Sequence, residues 1–348
     1  MRNGIKLVFL GLLILWGCQK GPDPYTLDIP EGWPSPVVPE WNPTTQQGVA
    51  LGRALFYDPI LSADSTVSCA TCHRPELAFT DRRPRAVGVA GRTGRRSSMS
   101  LVNVGFAFHG LFWDGRAATL EEQSLHPVTD PLEMDNDWET VLGRIRDHAE
   151  YPRLFRAAFG TAPLDSMLIA RALAQFERTL ISKDSRYDRM VRGEINFTLA
   201  EQRGWTLFFD ASRSVPHAEC NHCHVDPLFA NPTFHNNGLV DEDDESDESD
   251  LGREEVTANR YDRYKFKVPT LRNIALTAPY MHDGRLKTLE EVLDHYNSGG
   301  HPGVNVSPNV RKLGLNAQDK ADLLAFLHSL TDTTFVKNPT LQNPFIKK

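Results

Sequence analysis

Two short motifs carry the residues best suited to redox chemistry. Residues 69–73 read Cys-Ala-Thr-Cys-His, and residues 220–224 read Cys-Asn-His-Cys-His. Both follow the Cys-x-x-Cys-His pattern of covalent c-type haem attachment, in which two thiols add across the haem vinyl groups and the adjacent His binds the iron. The sequence therefore predicts two covalently bound haem c groups. The attachment residues are Cys69, Cys72, Cys220 and Cys223, and the proximal iron ligands are His73 and His224.

Other uses of paired cysteines fit these motifs less well. A zinc ribbon also contains two Cys-x-x-Cys pairs, but a long stretch separates Cys72 from Cys220 and each pair has its own His. A disulfide within either pair would strain a short loop and leave the histidine unexplained. Two haem sites are the better interpretation.

The motifs belong to a longer internal repeat. Four sequence blocks occur twice in the same order, and the haem motif is one of them. The other three pairs are residues 52–58 with 204–210, 100–103 with 270–273, and 114–122 with 283–291. The chain is therefore predicted to be one haem domain, duplicated.

The elements that position these blocks are predicted to be mainly helical. Thr119, Thr198 and Thr288 each stand three residues before a Glu, the capping-box signature of a helix start. Apolar spacing predicts a helix over residues 167–181 that closes the first domain, and Asn316 is predicted to open another. The predicted fold is mainly α, with two duplicated class I cytochrome c-like haem domains, long loops and little strand.

Composition excludes several classes of protein. The chain has 348 residues, of which 40% are hydrophobic and 24% charged, and its formal charge is −7. These values are typical of a globular protein and exclude a collagen, a long coiled coil or a wholly disordered chain. The acidic balance argues against a nucleic-acid binder. Many acidic residues lie in the segment 241–250, which is predicted to be a solvated loop.

The N-terminus has the pattern of an export signal. Arg2 and Lys6 flank the start of the apolar run 7–16, which is too short to span a bilayer as a helix but suits a signal peptide. The run leads into a Leu-Trp-Gly-Cys sequence that resembles a bacterial lipobox, so Cys18 is the expected lipidation site. A cleaved signal peptide with a leftover cysteine is the alternative. In both cases we expect an exported protein, and with the lipid a periplasmic, membrane-anchored one.

These signals divide the chain into five predicted segments. Residues 1–17 are a lipoprotein signal peptide, and the Pro-rich residues 18–44 are an extended tether. The N-terminal haem domain covers 45–185, the C-terminal haem domain covers 186–335, and residues 336–348 are a tail.

With these residues assembled, the sequence resembles the bacterial diheme cytochrome c peroxidase family, which includes the MauG-type enzymes. The resemblance depends on both haem motifs and on three further blocks. These are residues 112–116 (Phe-Trp-Asp-Gly-Arg), 131–134 (Pro-Leu-Glu-Met) and 267–273 (Lys-Val-Pro-Thr-Leu-Arg-Asn). The resemblance implies that the N-terminal haem is the peroxidatic site and that the C-terminal haem stores or relays an electron.

The sequence departs from the reductively activated peroxidases at two positions. Those members carry a removable distal His on a loop that corresponds to residues 87–98, and this loop contains no His here. They also bind the second iron with a Met where this sequence has Tyr296. MauG-type enzymes have Tyr there and an open first haem. The resemblance therefore favours the MauG-like branch, with Tyr296 as the sixth ligand of the second haem iron.

The internal repeat gives independent support for Tyr296. Counted by the offset between Asp283 and Asp114, Tyr296 corresponds to Pro127. A phenolate can bind an iron, whereas Pro has no ligand atom and leaves the first iron open. Most tyrosines on helices are packing residues, but the haem context favours ligation. An anionic oxygen also stabilises the higher charge of ferric iron.

The resemblance assigns further roles around the open haem. Glu133 would move a proton between the two oxygens of peroxide, as base and then acid, and Gln123 would orient the peroxide beside Pro127. Trp113 would bridge the haems, and this role is compatible with core packing. Two histidines are rival ligands of the open iron: His126 and, more weakly, His109.

In this family a calcium ion lies between the domains, held partly by backbone carbonyls. Thr277 and Pro279 match two of those positions, and Ser97 stands at the Asn position. A hydroxyl is a poorer calcium ligand than an amide oxygen. The sequence is therefore compatible with one calcium ion without requiring it.

Three functions stay open. The first is reduction of hydrogen peroxide at the N-terminal haem, with electrons from a small cytochrome c or cupredoxin relayed through the C-terminal haem. The second is MauG-like oxidation of a partner protein or another organic substrate. The third is plain electron transfer, in which Gln123 and Glu133 would have no purpose. The residues favour a cytochrome-c-peroxidase-type oxidoreductase that contacts a membrane only through its lipid.

Overall fold

The computed structural model describes residues 21–107, 110–209, 218–241 and 250–346. The predicted signal peptide, Cys18, His109 and residues 242–249 of the acidic segment lie outside the described residues. Within the described ranges, no helix is long and apolar enough to cross a membrane.

The described chain consists of helices joined by long loops and short 3₁₀ turns. The one sheet found in these ranges is an antiparallel ribbon in which β1 (Phe234–His235) pairs with β2 (Phe266–Lys267). The helices are α1 (Gln46–Tyr57), α2 (Cys69–Cys72), α3 (Leu120–Thr129), α4 (Trp138–Asp147), α5 (Tyr151–Phe159), α6 (Ser166–Glu177), α7 (Arg186–Val191), α8 (Leu199–Phe209), α9 (Glu254–Thr257), α10 (Leu289–Ser298), α11 (Ala317–Ser329) and α12 (Thr333–Val336). The mainly α fold is confirmed.

The predicted helix starts are also confirmed. Thr119 caps α3 and Thr288 caps α10, each accepting a hydrogen bond from the backbone N–H of the Glu three residues on. Asn316 caps α11 with the same geometry. Helix α6 ends at Glu177 rather than at residue 181 because the backbone N–H groups that follow form 3₁₀-type bonds.

Each half has its own core, centred on two crossing helices. In the first half α1 crosses α6, and a Cβ at Gly52 would lie 1.9 Å from the carbonyl oxygen of Ala172. In the second half α8 crosses α11, and a Cβ at Gly204 would lie 1.9 Å from the carbonyl oxygen of Asp322. The repeated glycine therefore marks the same close helix contact in both halves.

The duplication extends into the loops. An isolated antiparallel bridge joins Leu111 to Ala117, and the same bridge recurs between Tyr280 and Leu286. These four residues flank the repeated Asp-Gly-Arg blocks. The two halves are therefore copies of one structural unit.

The Pro-rich segment that was predicted to be an extended tether packs on the rest of the protein over its described part, residues 21–44. The backbone N–H of Val37 donates to the Gly105 carbonyl at 2.8 Å, and Arg178 Nε donates to the Val37 carbonyl at 2.8 Å. The Arg272 guanidinium lies over the ring of Trp33, 4.5 Å from its centroid. Proline keeps this segment extended, but contacts with both halves hold it on the body of the protein.

The predicted tail after residue 335 is packed as well. Tyr57 donates a hydrogen bond to the Leu341 carbonyl at 2.5 Å, and Arg53 donates to the Gln342 carbonyl at 2.7 Å. Phe335 and Leu341 are buried in the core of the first half. The C-terminal segment therefore leaves the second half and fastens it to the first.

Candidate haem sites and the contact between them

The first motif forms one helical turn on the wall of a cavity. Ser68 caps α2, and His73 follows this helix with its Nδ1 2.9 Å from the carbonyl oxygen of Phe79. A carbonyl only accepts hydrogen bonds, so Nδ1 carries the hydrogen and Nε2 keeps its lone pair. Burial lowers the pKa of His73, which favours the neutral imidazole. His73 is therefore prepared to bind a metal through Nε2.

The second motif repeats this arrangement. Nδ1 of His224 lies 3.1 Å from the carbonyl oxygens of both Phe229 and Pro269, and burial lowers the pKa of His224 to about 4. Phe79 and Phe229 both adopt the left-handed backbone conformation, with φ of 58° and 51°. This conformation is uncommon for a residue with a bulky side chain. Both halves thus use the same strained turn beside the histidine.

The donors at both sites fit haem c. The four motif cysteines are free thiols, which removes the disulfide interpretation. Each site offers two thiols for the vinyl groups and one imidazole nitrogen for the iron. The second site opens into a cavity of about 560 Å³, within the range of roughly 300–1,000 Å³ that is common for bound cofactors. The first cavity is smaller, about 60 Å³.

Three predicted distal residues converge on the first motif. Gln123, Pro127 and Glu133 line its cavity together with the motif cysteines and His73. Helix α3 carries Gln123 and Pro127 one turn apart, and the loop after α3 carries Glu133. The rival His126 is exposed, stands edge-on to Phe112 with ring centroids 5.6 Å apart, and does not line this cavity.

Glu133 is an ionisable group with a proton to exchange near neutral pH. Burial raises the pKa of Glu133 to about 7, the nearby Asp130 raises it as well, and Arg116 opposes the shift. A carboxyl group with such a pKa can serve either as a proton acceptor or as a donor.

The sequence analysis missed a second carboxyl group in this cavity. Glu177 ends α6, is 5% exposed, and lines the cavity. Burial raises the pKa of Glu177 to about 8, and its Oε2 has no hydrogen-bond partner among the described residues. The signal was an acidic side chain at helical spacing from the buried Ile169 and Leu173.

Tyr296 lies in the second cavity with the second motif. Its hydroxyl is 3.3 Å from Nδ2 of Asn237, and the same amide is 3.4 Å from Sδ of Met281. Burial raises the pKa of Tyr296 to about 12, so a metal must displace the phenol proton in order to bind. Met281 and His282 line the same cavity, and the His282 ring is stacked on Phe266 at 3.8 Å.

Trp113 lies at the contact between the halves. Its indole N–H donates to the Ser97 carbonyl at 3.0 Å, and its own carbonyl accepts from the backbone N–H of Lys267 at 2.7 Å. The backbone N–H of Ser97 donates to the His282 carbonyl at 2.6 Å. In the repeat, Ser97 corresponds to Lys267 and Trp113 to His282. The two backbone bonds are therefore equivalent, as in an interface with twofold symmetry.

An ion cluster holds the loop that contains no distal His. Arg96, near the end of this loop, contacts Asp114 at 2.6 Å and Asp250 at 2.7 Å. Its neighbour Arg95 contacts Glu255 at 2.7 Å. Because Asp114 belongs to the first half and Asp250 to the second, the cluster fixes the loop to both.

The three residues that the resemblance placed near calcium lie in the wall of the second cavity. The Ser97 hydroxyl donates to the Met281 carbonyl at 2.9 Å, and the Thr277 hydroxyl donates to the Ile274 carbonyl at 3.1 Å. Both hydroxyls are thus engaged by protein groups. Calcium at Thr277 and Pro279 stays a prediction.

Two c-type motifs in duplicated helical units define the class of di-haem c-type proteins, and comparison with known proteins narrows it. The profile of the di-haem cytochrome c peroxidase family matches residues 46–196. The methylamine utilization protein MauG of Methylorubrum extorquens is 39% identical over 310 residues, which cover 86% of this chain and 82% of that protein. The cytochrome c peroxidase Ccp of Escherichia coli is 36% identical over 329 residues, which cover 91% of this chain and 66% of that protein.

A solved structure agrees with these relatives. The structure of a MauG-like protein associated with microbial copper homeostasis has a TM-score of 0.83 and 39% identity, covering 92% of this chain and 100% of that one. The chain belongs to the di-haem cytochrome c peroxidase family. It is an oxidoreductase of the peroxidase type, with hydrogen peroxide as acceptor, and its family implies two haem c groups.

Proposed function

We propose that this protein reduces hydrogen peroxide at the N-terminal site with electrons relayed through the C-terminal site. The convergence of Gln123, Pro127 and Glu133 on the first cavity supports this most directly. A plain electron carrier needs no acid–base group beside a position, Pro127, that offers no ligand. This site therefore favours an enzyme over a carrier.

The side chains of the first cavity divide the work. Bound haem supplies the redox-active iron at which the O–O bond of peroxide is cleaved. Gln123 orients peroxide through its amide. Glu133 accepts a proton from one peroxide oxygen and returns it to the other, so that both oxygens leave as water. The reaction consumes two electrons and two further protons for each peroxide.

The second site is assigned to electron relay. Tyr296, which lines the second cavity, would bind that iron through its phenolate oxygen and so would keep peroxide from binding there. Trp113 lies where the halves meet and is held by hydrogen bonds from both its indole and its backbone. This placement supports a route for electrons through Trp113.

MauG-like oxidation of a partner protein or organic substrate is the second candidate. Two features favour it: Tyr296 in the second cavity and a loop 87–98 without His, tied down by Arg96. The relative from Methylorubrum extorquens is itself named for methylamine utilization. In this MauG-like reaction the oxidising equivalents are passed to the substrate instead of being reduced by electrons from a donor protein.

The N-terminal signal and the proposed reaction together indicate where the protein acts and which partners it has. The N-terminal signal supports export to the periplasm with a lipid anchor at Cys18. The electron donor is a small cytochrome c or cupredoxin. The haem domains are assigned to residues 45–185 and 186–335, with the packed segments before and after them added to the body.

Electron paramagnetic resonance of the fully ferric holoprotein, before and after peroxide, tests the proposal. One high-spin and one low-spin haem are expected, and peroxide should react without prior reduction. Loss of both ferric signals favours the MauG-like variant, whereas loss of the high-spin signal alone favours the peroxidase. Two low-spin haems that ignore peroxide would leave only the carrier function.

A further inference from the structure

Lys267 is a half-buried cation that none of the roles above uses. It ends β2 and lies on the wall of the second cavity. No carboxylate among the described residues pairs with its ammonium, whereas Lys265, two residues earlier in the chain, pairs with Asp262 at 3.2 Å. Burial alone lowers the pKa of Lys267 to about 8. An ammonium group removed from water without a partner is strongly unfavourable.

The internal repeat shows that this positive charge is present in the second half and not at the corresponding position of the first. Its counterpart in the first half is Ser97, whose hydroxyl is satisfied by the Met281 carbonyl. The backbone of Lys267 is fixed by its bond to the Trp113 carbonyl at 2.7 Å. The second half thus has the cation Lys267 where the first half has the neutral Ser97. The backbone of Lys267 is also the group that bonds to Trp113.

We propose that the ammonium of Lys267 binds the propionate carboxylates of the haem in the second cavity and so sets the reduction potential of that haem. The inference rests on the proposed function, because the two propionates of haem c are the anions that the cofactor brings into this cavity. Lys267 is a positioning residue: it touches the periphery of the cofactor and neither the iron nor peroxide. Three N–H donors on one ammonium can serve both carboxylates.

The sign of the effect on the potential follows from charge. The ferric haem carries one more positive charge than the ferrous haem, so a nearby cation disfavours the ferric state and raises the reduction potential. Removal of the cation leaves the propionates uncompensated. Those carboxylates then stabilise ferric iron and take up a proton when the iron is reduced.

Spectroelectrochemical titration of the holoprotein tests this inference. In Lys267→Met the potential of the second haem should shift to lower values, and it should become dependent on pH between 5 and 8. Lys267→Arg, which keeps the charge, should retain a potential close to that of the unmodified protein. Lys265→Met removes the charge of a half-buried ion pair two residues from Lys267, and should leave the potential unchanged.

Measurement of the covalent haem content shows whether a negative result contradicts the role of Lys267 or the proposed function. Lys267→Met with two covalent haems, an unchanged potential and no new pH dependence would overturn the role of Lys267 while peroxide reactivity persists. If Lys267→Met does not incorporate both haems, Lys267→Gln removes the charge with a polar side chain and is read by the same criteria. Fewer than two haems in the unmodified protein would instead contradict the proposed function.

Discussion

The chemistry assigned to the first site depends on one proton of Glu133. A base must be ionised before it can accept a proton, and burial raises the pKa of Glu133 to about 7. The ionised fraction therefore increases as the pH rises through 7. Glu177 in the same cavity has a pKa raised to about 8, so it is mostly protonated at neutral pH and is the weaker candidate for the base.

Replacement of Glu133 by Gln should slow the reaction with peroxide by roughly 10²–10⁴-fold, the usual contribution of a general base. In the unmodified protein the rate constant should rise between about pH 6 and pH 8, and in Glu133→Gln this rise should vanish. Stopped-flow mixing of the ferric protein with peroxide measures both. Glu150→Gln is the control, because Glu150 forms an exposed ion pair with Arg153 and does not line the cavity. A pH profile that persists in Glu133→Gln would transfer the base to Glu177.

Tyr296→Phe removes one oxygen from the second cavity and leaves the volume nearly unchanged. If the phenolate is the sixth ligand, the low-spin ferric signal should disappear and the potential of the second haem should rise, because an anionic ligand that stabilised ferric iron is gone. The first site should still react with peroxide. Electron paramagnetic resonance and a redox titration measure these effects. An unchanged low-spin spectrum would mean that Met281 or His282, which line the same cavity, binds that iron.

At the scale of elements, the stability of each half depends on how closely two helices cross. Helix α1 meets α6 at Gly52, and α8 meets α11 at Gly204, in both cases with a backbone carbonyl where a Cβ would lie. A carbonyl cannot rotate away as a flexible side chain can. The helices must therefore separate if either glycine gains a methyl group.

Gly52→Ala and Gly204→Ala should each lower the free energy of unfolding by roughly 1–3 kcal/mol, as overpacked cores do. Gly143→Ala is the matched control, because Gly143 lies inside α4 with open space around its Cβ position. It should stabilise the protein by roughly 0.5–1 kcal/mol through the lower entropy of the unfolded chain. Denaturant unfolding of the holoprotein measures all three. Equal effects at Gly52 and Gly143 would contradict the packing argument.

Local signals predicted these elements well because they act within a few residues. A capping Thr and the Glu three residues on form their hydrogen bonds without help from the rest of the chain, so Thr119 and Thr288 could be recognised in the sequence. Residues 23–44 and the segment after Phe335 carry no such periodicity. Their positions depend on distant carbonyls and on a surface that exists only after the two halves fold.

At the scale of the whole molecule, the repeat predicted two copies of one unit but not how they meet. The haem motifs could be found because their residue types and spacing are diagnostic, whereas Gln123 and Glu133 were predicted only through the resemblance to a known family. The contact between the halves depends instead on backbone groups, such as those of Ser97 and Lys267, which are the same in every residue type. Glu177 was missed for a related reason: a single buried acid among apolar neighbours has no motif.

Arg96 adds an ionic link to that contact, and its dependence on pH can be predicted. Burial raises the pKa of Asp250, but the Arg96 guanidinium outweighs this effect and holds the pKa at about 2, below the usual 3.8. A depressed carboxyl pKa stabilises the folded protein at all pH values above the unfolded pKa. This stability is lost as the pH falls from about 4 to about 2.

Asp250→Asn should therefore lower the free energy of unfolding by about 2 kcal/mol at pH 7, since each pKa unit corresponds to about 1.4 kcal/mol. The difference from the unmodified protein should shrink as the pH falls below 4, because a protonated Asp250 resembles Asn. Asp294→Asn, at an exposed pair with Lys320, should change stability by less than about 0.5 kcal/mol and show no such trend. Denaturant unfolding of the holoprotein at several pH values measures the difference. A loss that stays constant down to pH 2 would show that Asp250 acts by packing, and that its charge does not tie the loop of Arg96 to the second half.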